Sequence, residues 1–186
     1  GDDFYGRASF AAVARHLRRL SGDSGGVRSH ALVGYQLERT LSPNGTVSRG
    51  LCERGGDGEL RSLREVTGIR RLGDRIVGDW NGETIVLDDE APVSMNLFGF
   101  DPAVFDAVDR DFRKFLADRV ADPGAEFYIP DVVNRGIESG EAKVQVIDTP
   151  EAWLGVTHPE DRETVVNGIR ERVELGLYPA NLWKGR

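Results

Sequence analysis

A single cysteine, Cys52, in 186 residues excludes an internal disulfide and leaves no all-cysteine or Cys/His zinc cluster to assemble. That usage fits a reducing compartment. Histidine is also scarce: His16, His30 and His158 share no metal-ligand spacing, and none is assigned to catalysis. No residues suggest a Ser/His/Asp or Cys/His nucleophile set. Nor does any run approach the roughly 20 apolar residues of a membrane span, and Gly1-Asp2-Asp3 is acidic where a signal peptide is basic. The chain is therefore expected to be cytoplasmic, without a membrane partner. Basic residues number 24 against 31 acidic ones, for a net charge of -7. The one basic run, Arg15, Arg18 and Arg19, lies inside a helical pattern, so nucleic acid is excluded as a partner.

What is present is a globular balance, 39% hydrophobic and 30% charged residues, in a length that one domain over residues 1–186 accommodates. Phe10, Val13, Leu17 and Leu20 recur at helical spacing, so residues 9–20 are expected to form an amphipathic helix. Strands are expected over 30–37, 46–53 and 59–66, with Ser42-Pro43-Asn44-Gly45 as a turn. Asn81-Gly82 predicts a hairpin joining 75–80 to 83–87, because both residues tolerate positive φ. The apolar run 93–100 reads as a buried strand, and Asp101-Pro102 as the start of a helix. That helix, with Val104, Phe105, Val108, Phe112, Phe115 and Val120 on one face, is expected to pack into the core. A short helix over 130–137, a strand over 143–147 and a helix over 160–174, ended by Gly176, follow. Alternating strands and helices predict an α/β fold, with helices packed on a mixed sheet.

Six blocks then occur in order: GDDFYGRASF, LSPNGTVSRGLCE, VSMNLFGFDPAVF, EFYIPDVV, VIDTPEAWLGVTHPEDR and LYPANLW. Together they resemble the sugar-1-phosphate nucleotidyltransferase family, from its aspartate motif to its C-terminus. The resemblance implies a Rossmann-like mixed β-sheet flanked by helices, of the nucleotide-diphospho-sugar transferase type and N-terminally incomplete. The family's glycine-rich nucleotide loop, which precedes the aspartate motif, does not occur here, and Gly1 opens directly on that motif as a cut through a larger fold would.

The implied activity joins a sugar 1-phosphate to an NTP, releasing pyrophosphate and giving a nucleoside-diphosphate sugar, with Mg²⁺ as cofactor. Asp2 matches the catalytic, metal-binding aspartate of the motif. A hard cation on carboxylate oxygen would neutralise charge between two phosphate-bearing substrates. Asp3 matches a place that tolerates asparagine and is the less favoured ligand.

Sugar contacts carry over to Gly45, Glu65, Asn96 and Glu126. Glycine admits a ring close to the backbone, and carboxylate and amide groups supply directional acceptors and donors. Gly45 after Asn44 is equally what a turn requires, Glu65 suits a solvent-facing strand position, and Asp131 beside Glu126 suits a first helical turn. Asn96 stands in an apolar run, where burying an unpartnered amide would cost about 1–3 kcal/mol.

The chain departs from the family at Gly155, where a tryptophan-x-aspartate would supply the second metal ligand; Asp148 or Asp161 is the candidate replacement. It departs again at Val66, where a lysine or arginine would grip the sugar phosphate; Arg64, Arg70 or Arg71 is the substitute. A non-catalytic sugar-phosphate or nucleotide-sugar binding module is the alternative function. Neither the sugar, the nucleotide nor the oligomeric state can be read from the sequence.

Overall fold

Local chemistry sets most element boundaries in the computed structural model, which describes residues 3–20 and 27–181. In chain order the elements are β1 Asp3–Phe4, α1 Arg7–Leu20, β2 Arg28–Gln36, a 3₁₀ turn Leu37–Thr40, β3 Val47–Arg54, β4 Leu60–Leu72, β5 Arg75–Trp80, β6 Glu83–Leu87 and β7 Pro92–Gly99. There follow α2 Val104–Arg119, α3 Ile129–Glu138, β8 Ala142–Asp148, β9 Leu154–Gly155 and α4 Asp161–Glu174. Asn81 and Gly82 take φ of 50° and 82°, as a tight hairpin demands, and β5 pairs with β6 from Ile76↔Leu87 to Trp80↔Glu83.

The fold is mixed α/β. Seven strands form one sheet in the order β6-β5-β4-β3-β7-β2-β8, in which β2 and β8 run parallel while the other neighbours run antiparallel. β1 and β9 form a separate two-stranded ribbon. Each sheet face carries its own core. One gathers Val33, Tyr35, Val66, Ile76 and Val93 under Val13 and Leu17 of α1; the other gathers Leu32, Leu63, Val144 and Val146 under Val133 and Ile137 of α3. β4 serves both cores: ordinary alternation sends Leu63 and Val66, three positions apart, to opposite faces, while the bulges beside Leu60 and between Val66 and Ile69 keep Leu60 on the face of Leu63 and Ile69 on the face of Val66. No described helix is long and apolar enough to cross a membrane.

The expected core-directed face of α2 is overturned. No residue of that helix is buried, and Phe105 and Val120 are 73% and 74% exposed. Phe112 and Phe115 meet Phe127 with centroids 5.3 and 5.6 Å away, Val104, Ala107 and Val108 are half-buried, and Phe105 and Leu116 face outward. The helix therefore packs on α3 and its approach segment rather than deep against the sheet.

The Ser42–Gly45 turn is tied to the start of α4 by a buried carboxylate. Asp161, 5% exposed, accepts hydrogen bonds from Ser42 Oγ (2.7 Å), Asn44 Nδ2 (2.8 Å) and the backbone N–H groups of Thr157 (3.1 Å) and His158 (2.8 Å). Burial opposes its ionisation, but these four donors outweigh burial and hold its pKa at about 2. Because the folded pKa is depressed, the stability it contributes is whole above the ordinary value of 3.8 and fades as pH falls toward about 2. Asp161→Asn should lower unfolding free energy at neutral pH by about 2 kcal/mol. Its stability curve should also lack the acid limb between those two pH values. Denaturant titrations from pH 2 to 7 check this, and parallel curves for the two proteins would show that Asp161 is not the tie.

Candidate functional site

A cleft opens where two neighbouring strands stop pairing. β3 and β7 pair at Leu51↔Val93 and Gly50↔Ser94, and there the ladder ends. Beyond Ser94, β7 bulges: between Gly34↔Ser94 and Leu32↔Phe98, β2 advances two residues while β7 advances four. At the crest Asn96 takes φ of 62°, and its N–H is held by Ser94 Oγ at 3.1 Å. A left-handed residue inside a strand costs on the order of 1–3 kcal/mol, and asparagine is among the few side chains that tolerate it. β3 slips at the same level, between Val47↔Ile69 and Arg49↔Val66. Ser48-Arg49 and Met95-Asn96 thus diverge around a cleft of about 240 Å³, lined also by Asp3, Gly50, Glu65 and Trp153.

Of the residues expected at the site, Glu65 and Asn96 meet on this cleft and Asp3 joins them, while Asp2 lies outside the described residues. Asn96 is exposed, so its place rests on the bulge that re-aims it and not on burial of its amide. Gly45 is not on the cleft. A Cβ there would lie 2.6 Å from His158 Nε2, and that ring nitrogen sits 3.0 Å from the Thr46 carbonyl oxygen, so Gly45 makes room for a packing histidine. The glycine that lines the cleft is Gly50, opposite Glu65 in the β3–β4 ladder. Glu126 does not join it either: it accepts a hydrogen bond from the Tyr128 hydroxyl at 2.6 Å and lines a neighbouring groove with Lys114, Arg119 and Asp131.

Arg49 and Trp153 are the cleft side chains that sequence reasoning missed. Arg49 is 7% exposed, its guanidinium lies 4.9 Å over the Trp153 ring, and it donates through Nη1 to the Ser48 carbonyl (2.8 Å) and through Nη2 to the Thr40 carbonyl. Its Nε, like Trp153 Nε1, is buried without a hydrogen-bond partner, and it forms no ion pair with any described carboxylate. Burial pushes its pKa down to about 10, against the opposing fields of Asp3, Glu65 and Asp161. Glu65 is open to solvent on one side, yet lost hydration raises its pKa, with Arg49 opposing. A buried cation without a close counter-ion is costly, and an anionic ligand would relieve it. Period-2 alternation from Val47, which is buried, was the available signal that Arg49 points inward.

The proposed substitutes fail on geometry. Gly155 pairs with Asp3; a Cβ on it would run into Trp153 Cζ2 and come within 2.8 Å of Asp3 Oδ1, so position 155 has no room for a ligating side chain. Asp148 is 70% exposed in an ion pair with Arg54, and Asp161 is consumed by its four donors. Arg64 lies over Trp80 (4.9 Å), Arg70 is near Asp79 (4.0 Å) and Arg71 near Asp89 (3.3 Å), and none of the three lines the cleft. Among the described residues no three His, Cys, Asp or Glu side chains converge to hold a metal. The cleft does present the Asp3 carboxylate, oriented by a 3.0 Å hydrogen bond from the Tyr5 hydroxyl. No protein-family model matches the chain, and a search of curated proteins returns no relative.

Because Asn96 carries the left-handed conformation, Asn96→Gly should leave stability within about 0.5 kcal/mol, whereas Asn96→Val should lose about 1–2 kcal/mol. Urea unfolding of the two variants checks this. Equal stabilities would mean that the backbone at 96 is not left-handed in solution.

Proposed function

We propose that the cleft is the sugar-phosphate site of a sugar-1-phosphate nucleotidyltransferase of the Rossmann-like, nucleotide-diphospho-sugar transferase type. The observation that carries this reading is convergence. Asp3 of the aspartate motif, Glu65 and Asn96 are far apart in sequence, and they line one cleft with a buried, unpaired Arg49. Glu65 supplies an acceptor and Asn96 an amide to sugar hydroxyls, Gly50 lets the ring approach the backbone, and Arg49 offers its charge to the phosphate. Gly45 and Glu126 take no part.

In the reaction a phosphate oxygen of the sugar 1-phosphate forms a bond to the NTP α-phosphorus as the bond from that phosphorus to the pyrophosphate oxygen breaks. No covalent enzyme intermediate is required, so these residues act by positioning and electrostatics. Asp2 and Asp3 would hold Mg²⁺, which neutralises phosphate charge when bound; a magnesium ion commonly takes its other ligands from substrate phosphate and water. With position 155 closed to a side chain, reliance on substrate oxygens suits this donor set.

Titrating the chain with a panel of sugar 1-phosphates should shift the amide resonances of Gly50 and Asn96 saturably for at least one of them. Asn96→Gly should weaken that binding roughly tenfold, the loss expected for one hydrogen bond. If no sugar 1-phosphate shifts these amides, the assignment is wrong. Pyrophosphate release from NTP and that same sugar tests the catalytic half of the reading.

A further inference from the structure

Helix α2 presents a row of apolar side chains to solvent. Phe105 and Val120, the latter at the C-cap, are the most exposed large hydrophobics among the described residues, and Phe112 and Leu116 between them are exposed as well. At 3.6 residues per turn, Phe105, Phe112 and Leu116 fall within about 40° of one another around the helix axis. The half-buried residues Val104, Ala107, Val108, Asp111 and Phe115 centre about 100° away, on the side that meets α3 and its approach segment. Asp111 pins that side by accepting from Arg135 Nε of α3 at 2.9 Å and from Arg110 Nε at 3.3 Å. The row is therefore a second face of the helix, held outward by the first. A contiguous exposed apolar surface of this kind marks an interaction site.

The charges beside the row select what covers it. On one flank stand Asp109 and, one turn later, Arg113, both exposed, with Arg113 Nε donating to Asp109 Oδ2 at 2.8 Å. When a helix packs antiparallel on a copy of itself about a two-fold axis, each flank meets the same flank of the copy running in reverse. The midpoint between Phe105 and Leu116 and the midpoint between Asp109 and Arg113 both fall at Asp111 or just before it. One register thus seats Phe105 on Leu116 of the second copy and sets Asp109 against Arg113 of the second copy, twice over. The two Phe112 rings meet near the axis. Exposed ion pairs add little affinity, but alternating charges on a flank fix register and orientation.

We infer that α2 is the interface of a symmetric dimer of this chain, its two copies antiparallel, with their apolar rows in contact and Asp109 and Arg113 of each copy paired across the axis. The row shares no residue with the cleft, so the dimer stands whatever ligand the cleft takes. One helix pair lies at the small end of specific interfaces, which sets the expected dissociation constant on the order of 1–10 μM.

Sedimentation equilibrium tests this. The chain at about 100 μM should have twice its 20.5 kDa mass and should dissociate on dilution through the low micromolar range. Leu116→Glu places a charge in the row and should leave a monomer with an unchanged circular dichroism spectrum. Asp109→Arg and Arg113→Asp each set like charges across the axis, and each should weaken self-association about tenfold or more. An equimolar mixture of these two variants should restore the dimer, because each then offers the charge that the other lacks. A chain that is monomeric at about 100 μM would overturn the interface and leave the row to a different protein. A dimer that survives Leu116→Glu would place the contact elsewhere and overturn it too. A mixture no more associated than its separate components would overturn the antiparallel register.

Discussion

The left-handed backbone at Asn96 is the constraint on which the cleft depends. A strand in the middle of a sheet ordinarily pairs on both edges along its length, and continuous pairing would have closed the space between β3 and β7. Instead β7 spends two extra residues against β2, its partnership with β3 ends at Gly50↔Ser94, and the freed segments separate. The residues at the point of separation, Arg49 on one side and Asn96 on the other, are those with the most chemistry to offer. Strain at one residue and recognition by its neighbours are thus consequences of one backbone irregularity.

Electrostatics follow from that geometry. Arg49 enters the protein on a strand whose alternation points it inward, so it is stripped of water and stacked on Trp153 without a carboxylate at ion-pair distance. The ribbon of β1 and β9 brings Asp3 and Trp153 to the same place, and it closes position 155 to any side chain larger than glycine. The site consequently carries a buried positive charge that Asp3 and Glu65 face without reaching ion-pair distance. That balance suits a substrate that brings its own phosphate oxygens. Asp161, one of the two carboxylates the sequence offers as a replacement second ligand, is spent on holding the Ser42–Asn44 turn.

Much of the architecture was legible because it rests on local chemistry. The Asn81-Gly82 hairpin, the apolar run of β7 and the helical spacing of α1 each state their structure within a few residues. Asn96 stands in one of the blocks that carry the family resemblance, Glu65 was matched through the resemblance from outside them, and the two share a cleft. What escaped was set by register. Whether Gly45 or Gly50 faces Glu65 depends on how β3 pairs with β4 across two bulges, which no spacing along one strand reveals. Whether α2 buries its phenylalanines depends on how close it sits to the sheet, and its periodicity is silent on that. The two-residue strands β1 and β9 are too short to announce themselves, yet their pairing explains why glycine occupies position 155.

The most direct measurement is a crystal structure of the chain soaked with the sugar 1-phosphate that it binds most tightly. The account predicts the phosphate within hydrogen-bond distance of the Arg49 guanidinium and the sugar between Gly50, Glu65 and Asn96, with Asn96 still at positive φ. A sugar phosphate bound elsewhere, or an occupied cleft in which Arg49 makes only its Ser48 and Thr40 carbonyl contacts, would contradict it.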